Sequence, residues 1–262
     1  MLKRRIVLST LAAAGLLAAA HESFAQAKSD LQLLKERKVV RVGAAAAFPF
    51  YERTLDGNWR GVIPDLMQQI AQSLGVSVEY VETTWGTVAA GLQGDRFDIM
   101  GGFNKTPERA LAVDFTRPIG ASVYGLLSLT DRKTEFATWS NIDRKDMRIA
   151  TVDGTGAYRV VSKQMQNVQW VLVQNFETLL LELDSGRSQV VLVDGSEGKK
   201  YIATRNRGVF ITPTPVLQTT TNMALRKSAD PQLQAALDEI IGNLEKQGQL
   251  EKIWAKNLST TK

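Results

Sequence analysis

The chain has 262 residues, 44% hydrophobic and 23% charged, enough for one large or two small globular domains and unlike a disordered chain or a disulfide-stapled mini-protein. Thirty-two basic against 27 acidic side chains give a formal charge of +5. Cysteine is absent and the single histidine is His21, inside a segment that reads as a removable leader. The mature chain is therefore expected to lack Ser-His-Asp and Cys-His nucleophilic chemistry, haem attachment through Cys and the usual zinc ligands.

Residues 1–25 read as an export signal: a basic start at Lys3-Arg4-Arg5, an apolar run over 6–20, and a small-x-small cleavage site at Ser23-Phe24-Ala25. The alternative is a buried Ala/Leu helix. The apolar run is shorter than the ~20 residues that span a bilayer. Arg4-Arg5 leaves a twin-arginine signal open, although the residues after it fit that weakly. Removing the segment leaves a net +3, scattered without the basic stripe that nucleic-acid binding needs. No cysteine follows the apolar run to take a lipid, and no later apolar stretch reaches ~18 residues. A soluble, unanchored protein of a Gram-negative periplasm is the expectation.

Hydrophobic period then alternates between strand and helix. A strand is predicted over 39–43, and a helix over 64–74 with Leu66, Met67, Ile70, Ala71 and Leu74 on one face and Gly75 ending it. A strand over 76–82, a short helix over 87–93 and a strand over 97–100 follow. At Thr106-Pro107-Glu108 a helix begins: Thr caps, Pro takes the first helical position, and Glu meets the positive end of the dipole. A second cycle has a strand at 148–152, a helix from Thr155, a strand at 170–173, a helix at 176–184 and a strand at 190–193. This βαβα rhythm argues for mainly parallel sheets with helices on both faces. Residues 115–130 and 213–225 are extended and β-rich, placed as two crossings between lobes, with final helices over 230–258 returning to the first lobe. The expected division is 26–122 plus 220–262 for lobe 1 and 123–219 for lobe 2. No repeat of fixed period and no low-complexity tract is present.

Open parallel sheets bind ligands beyond the carboxyl ends of their strands, so the loops leaving each strand are the places to look. They hold Ala47, Phe48 and Phe50; Trp85; Gly101, Gly102, Asn104, Thr106 and Arg109; Gly154-Thr155-Gly156; and Asp194. Arg109 sits near a helix start, where a cation gains nothing from the dipole and an external carboxylate would explain it; the alternative is a surface arginine paired with Glu108 or Asp114. The amides of Gly154-Thr155-Gly156 and the Thr155 hydroxyl could grip the same anion, or form a plain tight turn. Asp194 ends an apolar run where it suits an ammonium group, or caps the helix after it. Trp85 and Phe48 suit an apolar sandwich, although large aromatics more often fill cores. Arginine for carboxylate, aspartate for ammonium and an aromatic wall together describe a site for a zwitterion.

The order and spacing of several stretches resemble the family 3 extracellular solute-binding proteins, receptors of polar amino-acid ABC transporters. The stretches are Val40-Arg41-Val42-Gly43 with Phe48-Pro49-Phe50; Gly61-Val62-Ile63-Pro64-Asp65-Leu66; Leu92-Gln93-Gly94-Asp95-Arg96-Phe97-Asp98-Ile99; and Thr106-Pro107-Glu108-Arg109 with Asp114-Phe115-Thr116. The resemblance implies a two-lobed α/β fold of the type II periplasmic-binding kind, each lobe a mainly parallel sheet flanked by helices and joined by two hinge crossings. It implies an α-amino acid as ligand, an inner-membrane ABC permease as partner, a monomer, and no cofactor or metal. Arg109 would pair with the α-carboxylate, helped by Thr155 and the Gly102 amide; Asp194 would accept from the α-ammonium; Trp85 and Phe48 would stack on the side chain. The loop before Pro49 is one residue shorter than usual, Asn104 and Lys105 replace small hydroxyl and apolar residues, and Gly156 offers no side chain where many relatives present a polar one. Trp85, Met100-Gly101-Gly102 and Asp194 followed by Glu197 are also similar to cyclohexadienyl (arogenate/prephenate) dehydratase, an enzyme branch in which that glutamate would be the general acid. Glu197 reads equally as a solvent-facing first-turn residue or as a contact for a cationic ligand side chain. Asn104 and Glu197 leave an amide, hydroxyl or cationic ligand end open.

Overall fold

The computed structural model describes residues 28–228 and 231–259; the export signal expected over 1–25 lies outside them. Helix α1 (Asp30–Arg37) opens on a capping box, in which the Ser29 hydroxyl accepts from Gln32 N–H and the Gln32 side chain accepts from Ser29 N–H. It had no counterpart in the sequence reading, because Leu34 is the one position of this helix that is buried and its periodic signal is correspondingly faint. Strand β1 (Val39–Ala44), the hairpin of β2 (Glu52–Arg53) and β3 (Trp59–Arg60), and helix α2 (Val62–Leu74) follow. Helix α2 buries Val62, Ile63, Leu66, Met67, Ile70 and Ala71 and stops at Gly75, whose φ of 70° suits a residue without Cβ. Leu74, expected on the same face, is only partly covered.

Next come β4 (Ser77–Glu82), α3 (Val88–Gln93), β5 (Ile99–Asn104) and α4 (Pro107–Ala112). Thr106 caps α4 and Pro107 leads it, as its sequence dictates. The 16-residue β6 (Val113–Ser128) then leaves this half of the molecule. Beyond it lie α5 (Trp139–Ile142), β7 (Arg148–Val152), α6 (Gly156–Val161), β8 (Gln169–Val173), α7 (Phe176–Asp184), β9 (Val190–Asp194), α8 (Gly195–Arg205) and β10 (Val209–Ile211). Strand β11 (Gln218–Arg226) returns, and α9 (Gln232–Lys246) and α10 (Gln249–Ser259) close the chain.

The strands run in the order β4-β1-β5-β11-β6-β9-β7-β8, with β10 also on β6. Pairing is parallel within each half, β1 with β4 and β5, and β7 with β8 and β9. The crossing strands β6 and β11 pair antiparallel to their neighbours. Strand β6 belongs to both halves: it pairs with β11 from Val113 to Val123 and with β9 from Tyr124 onward. The final helices return to the first half, where Asn257 Nδ2 donates to Asp65 Oδ2 at 2.8 Å and Trp254 Nε1 to Ile119 O at 2.7 Å. A large apolar core runs under α2 and the first sheet half and continues beneath α7, while a second cluster around Phe136, Trp139, Ile149 and Leu192 fills the far face of the other half.

Candidate functional site

Between the two halves, at the carboxyl ends of β1, β5, β7 and β9, lies a small cavity. It is lined by Ala47, Phe48, Phe50, Trp85, Gly102, Asn104, Ser122, Tyr124, Thr151, Val152, Thr155, Gly156, Ala157, Phe176, Leu192, Val193, Asp194 and Glu197. Its volume is about 40 Å³. Of the residues singled out from sequence, Ala47, Phe48, Phe50, Trp85, Gly102, Asn104, Thr155, Gly156, Asp194 and Glu197 line it, whereas Gly101, Thr106, Arg109 and Gly154 do not.

Arg109 lies just outside the lining, on the third residue of α4, with its amide donating to Thr106 Oγ1 at 3.3 Å. It is 4% exposed, so it is not the surface arginine of the alternative reading. Glu108 pairs with Lys163 and Asp114 with Lys227 instead. The guanidinium donates from Nη1 to Asn104 O at 2.7 Å and from Nη2 to Gly154 O, on the other half, at 2.6 Å. Its Cζ stacks 3.6 Å from the centre of the Phe103 ring. Nε is buried without a partner, and among the described residues no carboxylate pairs with Arg109. Burial, with Arg159 nearby, pushes it down to about 9, so it stays charged at neutral pH but poorly compensated.

Asp194 lines the cavity from the second half. It ends β9 and caps α8, Oδ1 accepting from Ser196 N–H at 2.8 Å. The capping alternative thus holds, and the same carboxylate also lines the cavity. Burial pushes its carboxyl up, opposed by the Ser196 amide and the Ser122 hydroxyl. Helix α8 itself was not read from the sequence, because Gly195, Ser196, Gly198, Lys199 and Lys200 weaken its apolar period.

Glu197, in the first turn of α8, is 6% exposed, so it is not a solvent-facing residue. Its Oε2 accepts from Phe48 N–H, across the cleft, at 3.2 Å. Burial pushes it up to about 7, with Asp194 and Glu52 adding and Lys200 and the Phe48 amide opposing. Lys200 pairs with Glu52 of the first half, its Nζ lying 4.6 Å from the centre of the Phe48 ring.

Thr155 caps α6: its hydroxyl donates to Val152 O at 2.8 Å and accepts from Tyr158 N–H at 3.4 Å. The loop before it is a tight turn, with Gly154 at φ 72°. Asn104 Nδ2 donates to Ser122 Oγ at 3.0 Å and Thr221 Oγ1 at 3.2 Å, tying β5 to both crossing strands. Trp85 is 8% exposed and its Nε1 is buried without a partner among the described residues. Ser122, Tyr124 and Phe176 also line the cavity and were missed in the sequence, which shows Ser122 and Tyr124 as two positions of one long strand and Phe176 as the start of a helix. Among the described residues, no cluster of three or more Asp, Glu or His side chains is placed to hold a metal ion.

Two sheet halves joined by crossing strands around an enclosed cleft define a two-lobed binding protein of the type II periplasmic kind. A sequence profile of the bacterial extracellular solute-binding proteins, family 3, matches residues 40–260, and the chain belongs to that family. It is 26% identical over 262 residues to the L-cystine-binding protein TcyJ of Escherichia coli K12, covering 97% of this chain and 95% of that protein. It is 25% identical over 197 residues to the cyclohexadienyl dehydratase of Pseudomonas aeruginosa, covering 74% of this chain and 73% of that enzyme. Among solved structures, the ancestral amino acid-binding protein AncCDT-1, described as a precursor of cyclohexadienyl dehydratase, superposes with a TM-score of 0.80 at 27% identity, over 88% of this chain and all of that one. No helix among the described residues is long and apolar enough to cross a membrane.

Proposed function

We propose that this chain captures an α-amino acid between its lobes and presents the closed complex to an inner-membrane ABC permease, with no bond made or broken. The observation that carries the reading is the pair of buried charges on opposite lobes, Arg109 and Asp194, neither ion-paired with another described side chain; Asp194 lines the cavity, and Arg109 lies behind its wall, bonded to the carbonyl of the lining residue Asn104 and to Gly154 O. A ligand carboxylate takes the guanidinium donors that Gly154 O now occupies, and the ligand ammonium takes the free side of the Asp194 carboxylate. Phe48, Trp85 and Phe176 receive the side chain, while Gly102, Asn104, Thr155 and Gly156 shape the floor. The lobes are 26–122 with 220–262, and 123–219; the change of partner along β6 at Val123 and Tyr124 supports that division. A ligand held between the lobes bridges them, so closure follows binding and the ligand shifts the population toward the closed state. The protein works as an exported periplasmic monomer. The cystine- and amino-acid-binding names of its relatives support the ligand class.

A charge-assisted hydrogen bond is worth roughly 1.5–3 kcal/mol, so Arg109→Ala and Asp194→Asn should each weaken the true ligand at least about tenfold by calorimetry. Unchanged affinity in both removes the zwitterion site. The burial of Glu197 favours a second reading, dehydration with Glu197 as acid and Trp85 beside the substrate. Turnover of prephenate or arogenate by the purified protein, lost in Glu197→Gln, would select it.

A further inference from the structure

The cavity is lined by two carboxylates, Asp194 and Glu197, and by no lysine or arginine. An α-amino acid brings one carboxylate and one ammonium. On the reading above, the first is answered by Arg109 and the second by Asp194, which leaves Glu197 over. The hydrogen bond this side chain receives comes from a neutral donor, Phe48 N–H at 3.2 Å. The neighbouring cation on α8, Lys200, is held by Glu52 of the opposite lobe and lies over the Phe48 ring, and Arg60 also faces Glu52, at 3.7 Å. A carboxylate buried without a cation is costly; either it takes up a proton or a cation arrives with the ligand.

We propose that Glu197 reads the charge of the ligand side chain, so that the site takes an α-amino acid carrying a second cationic group. The inference rests on the amino-acid reading of the cleft and adds the substrate class. The Phe48 ring, which already accepts one ammonium at 4.6 Å, provides an aromatic surface suited to such a chain. Burial, Asp194 and Glu52 favour the protonated carboxyl against the pull of Lys200 and the Phe48 amide. A cation in the ligand reverses the balance, and binding expels that proton. Affinity for a cationic ligand therefore rises with pH through about 7, whereas a neutral ligand that accepts a hydrogen bond from the protonated carboxyl shows the opposite slope.

Calorimetry on the full mature chain with L-lysine against L-norleucine and L-arginine against L-citrulline, matched in length and differing in charge, tests this at about pH 8 and about pH 5.5. The expected result is at least about tenfold tighter binding of one cationic member than of its neutral counterpart at the higher pH. That margin shrinks at the lower pH, and Glu197→Gln removes it. Equal binding of the counterparts, a margin that survives Glu197→Gln, or an affinity that falls with rising pH overturns the inference. If another amino acid binds and needs Asp194 while these four show no charge preference, the substrate class falls and the amino-acid reading stands. If no amino acid binds at all, both fall.

Discussion

Asp194 and Glu197 stand within one turn of each other at the start of α8, and both carboxyls are pushed up chiefly by burial. An acid whose folded-state value lies above its unfolded one stabilises the fold in its protonated form. For Glu197 that contribution is full below the unfolded value of 4.5 and is lost as pH rises through about 7. The ligand-free protein should therefore melt at a lower temperature at about pH 8 than at about pH 5, and Glu197→Gln should flatten part of that slope in scanning calorimetry. A variant with the wild-type slope would show that the residue titrates as an ordinary surface carboxylate. Asp194, Trp85 and Phe48 were legible in the sequence because each follows a strand end, where ligands bind open sheets. Tyr124 and Ser122 were not, since one-dimensional alternation does not say which face of a 16-residue strand meets the cleft. Arg109 was legible as an anomaly near a helix start, but its two carbonyl partners, Asn104 and Gly154, come from chain segments whose approach no local pattern encodes.

The elements that declared themselves carry chemical punctuation: Thr106-Pro107 opening α4, Thr155 capping α6, Gly75 closing α2. Helices α1 and α8 lack a broad apolar stripe, and tertiary packing rather than periodicity holds them. Two glycines of the 154–156 turn show what the closed cleft requires. A Cβ on Gly154 would stand 2.3 Å from Gly86 Cα on the other lobe, and one on Gly156 would stand 2.5 Å from Asn104 Oδ1 and 2.7 Å from the Tyr124 hydroxyl. Gly156 has no unusual φ, so alanine there meets packing alone: Asn104, which opening of the cleft withdraws, and the Tyr124 hydroxyl of its own lobe, which must shift. Gly156→Ala should weaken the ligand at least about tenfold and keep the liganded protein as expanded in small-angle scattering as the empty one. Full compaction with wild-type affinity would mean that Asn104 yields and the close approach is incidental.

Among the described residues, hydrogen bonds or ion pairs cross the cleft between Arg109 and Gly154, Phe48 and Glu197, Lys163 and Glu108, and Lys200 and Glu52. Lys163 and Glu108 are each about half exposed, and such pairs contribute about 0–1 kcal/mol. That pair adds little to closure. On the proposed reading, the stronger term is the one a ligand supplies by satisfying Arg109 and Asp194 at once, so the ligand decides closure. The alternation of strand and helix, the two crossings and the returning C-terminal helices were legible from the sequence, because parallel βαβ units and short connections leave few topologies. The hand-over at Val123 and Tyr124 along one continuous strand was not, because both sides of it share the same β-rich composition.

Calorimetry with the amino acid that binds best, set against its analogues lacking only the α-ammonium or only the α-carboxylate, tests the central claim most directly. Binding of the parent with at least about a tenfold loss for each analogue is the predicted result. Equal affinity for either analogue would contradict capture by opposite charges on opposite lobes.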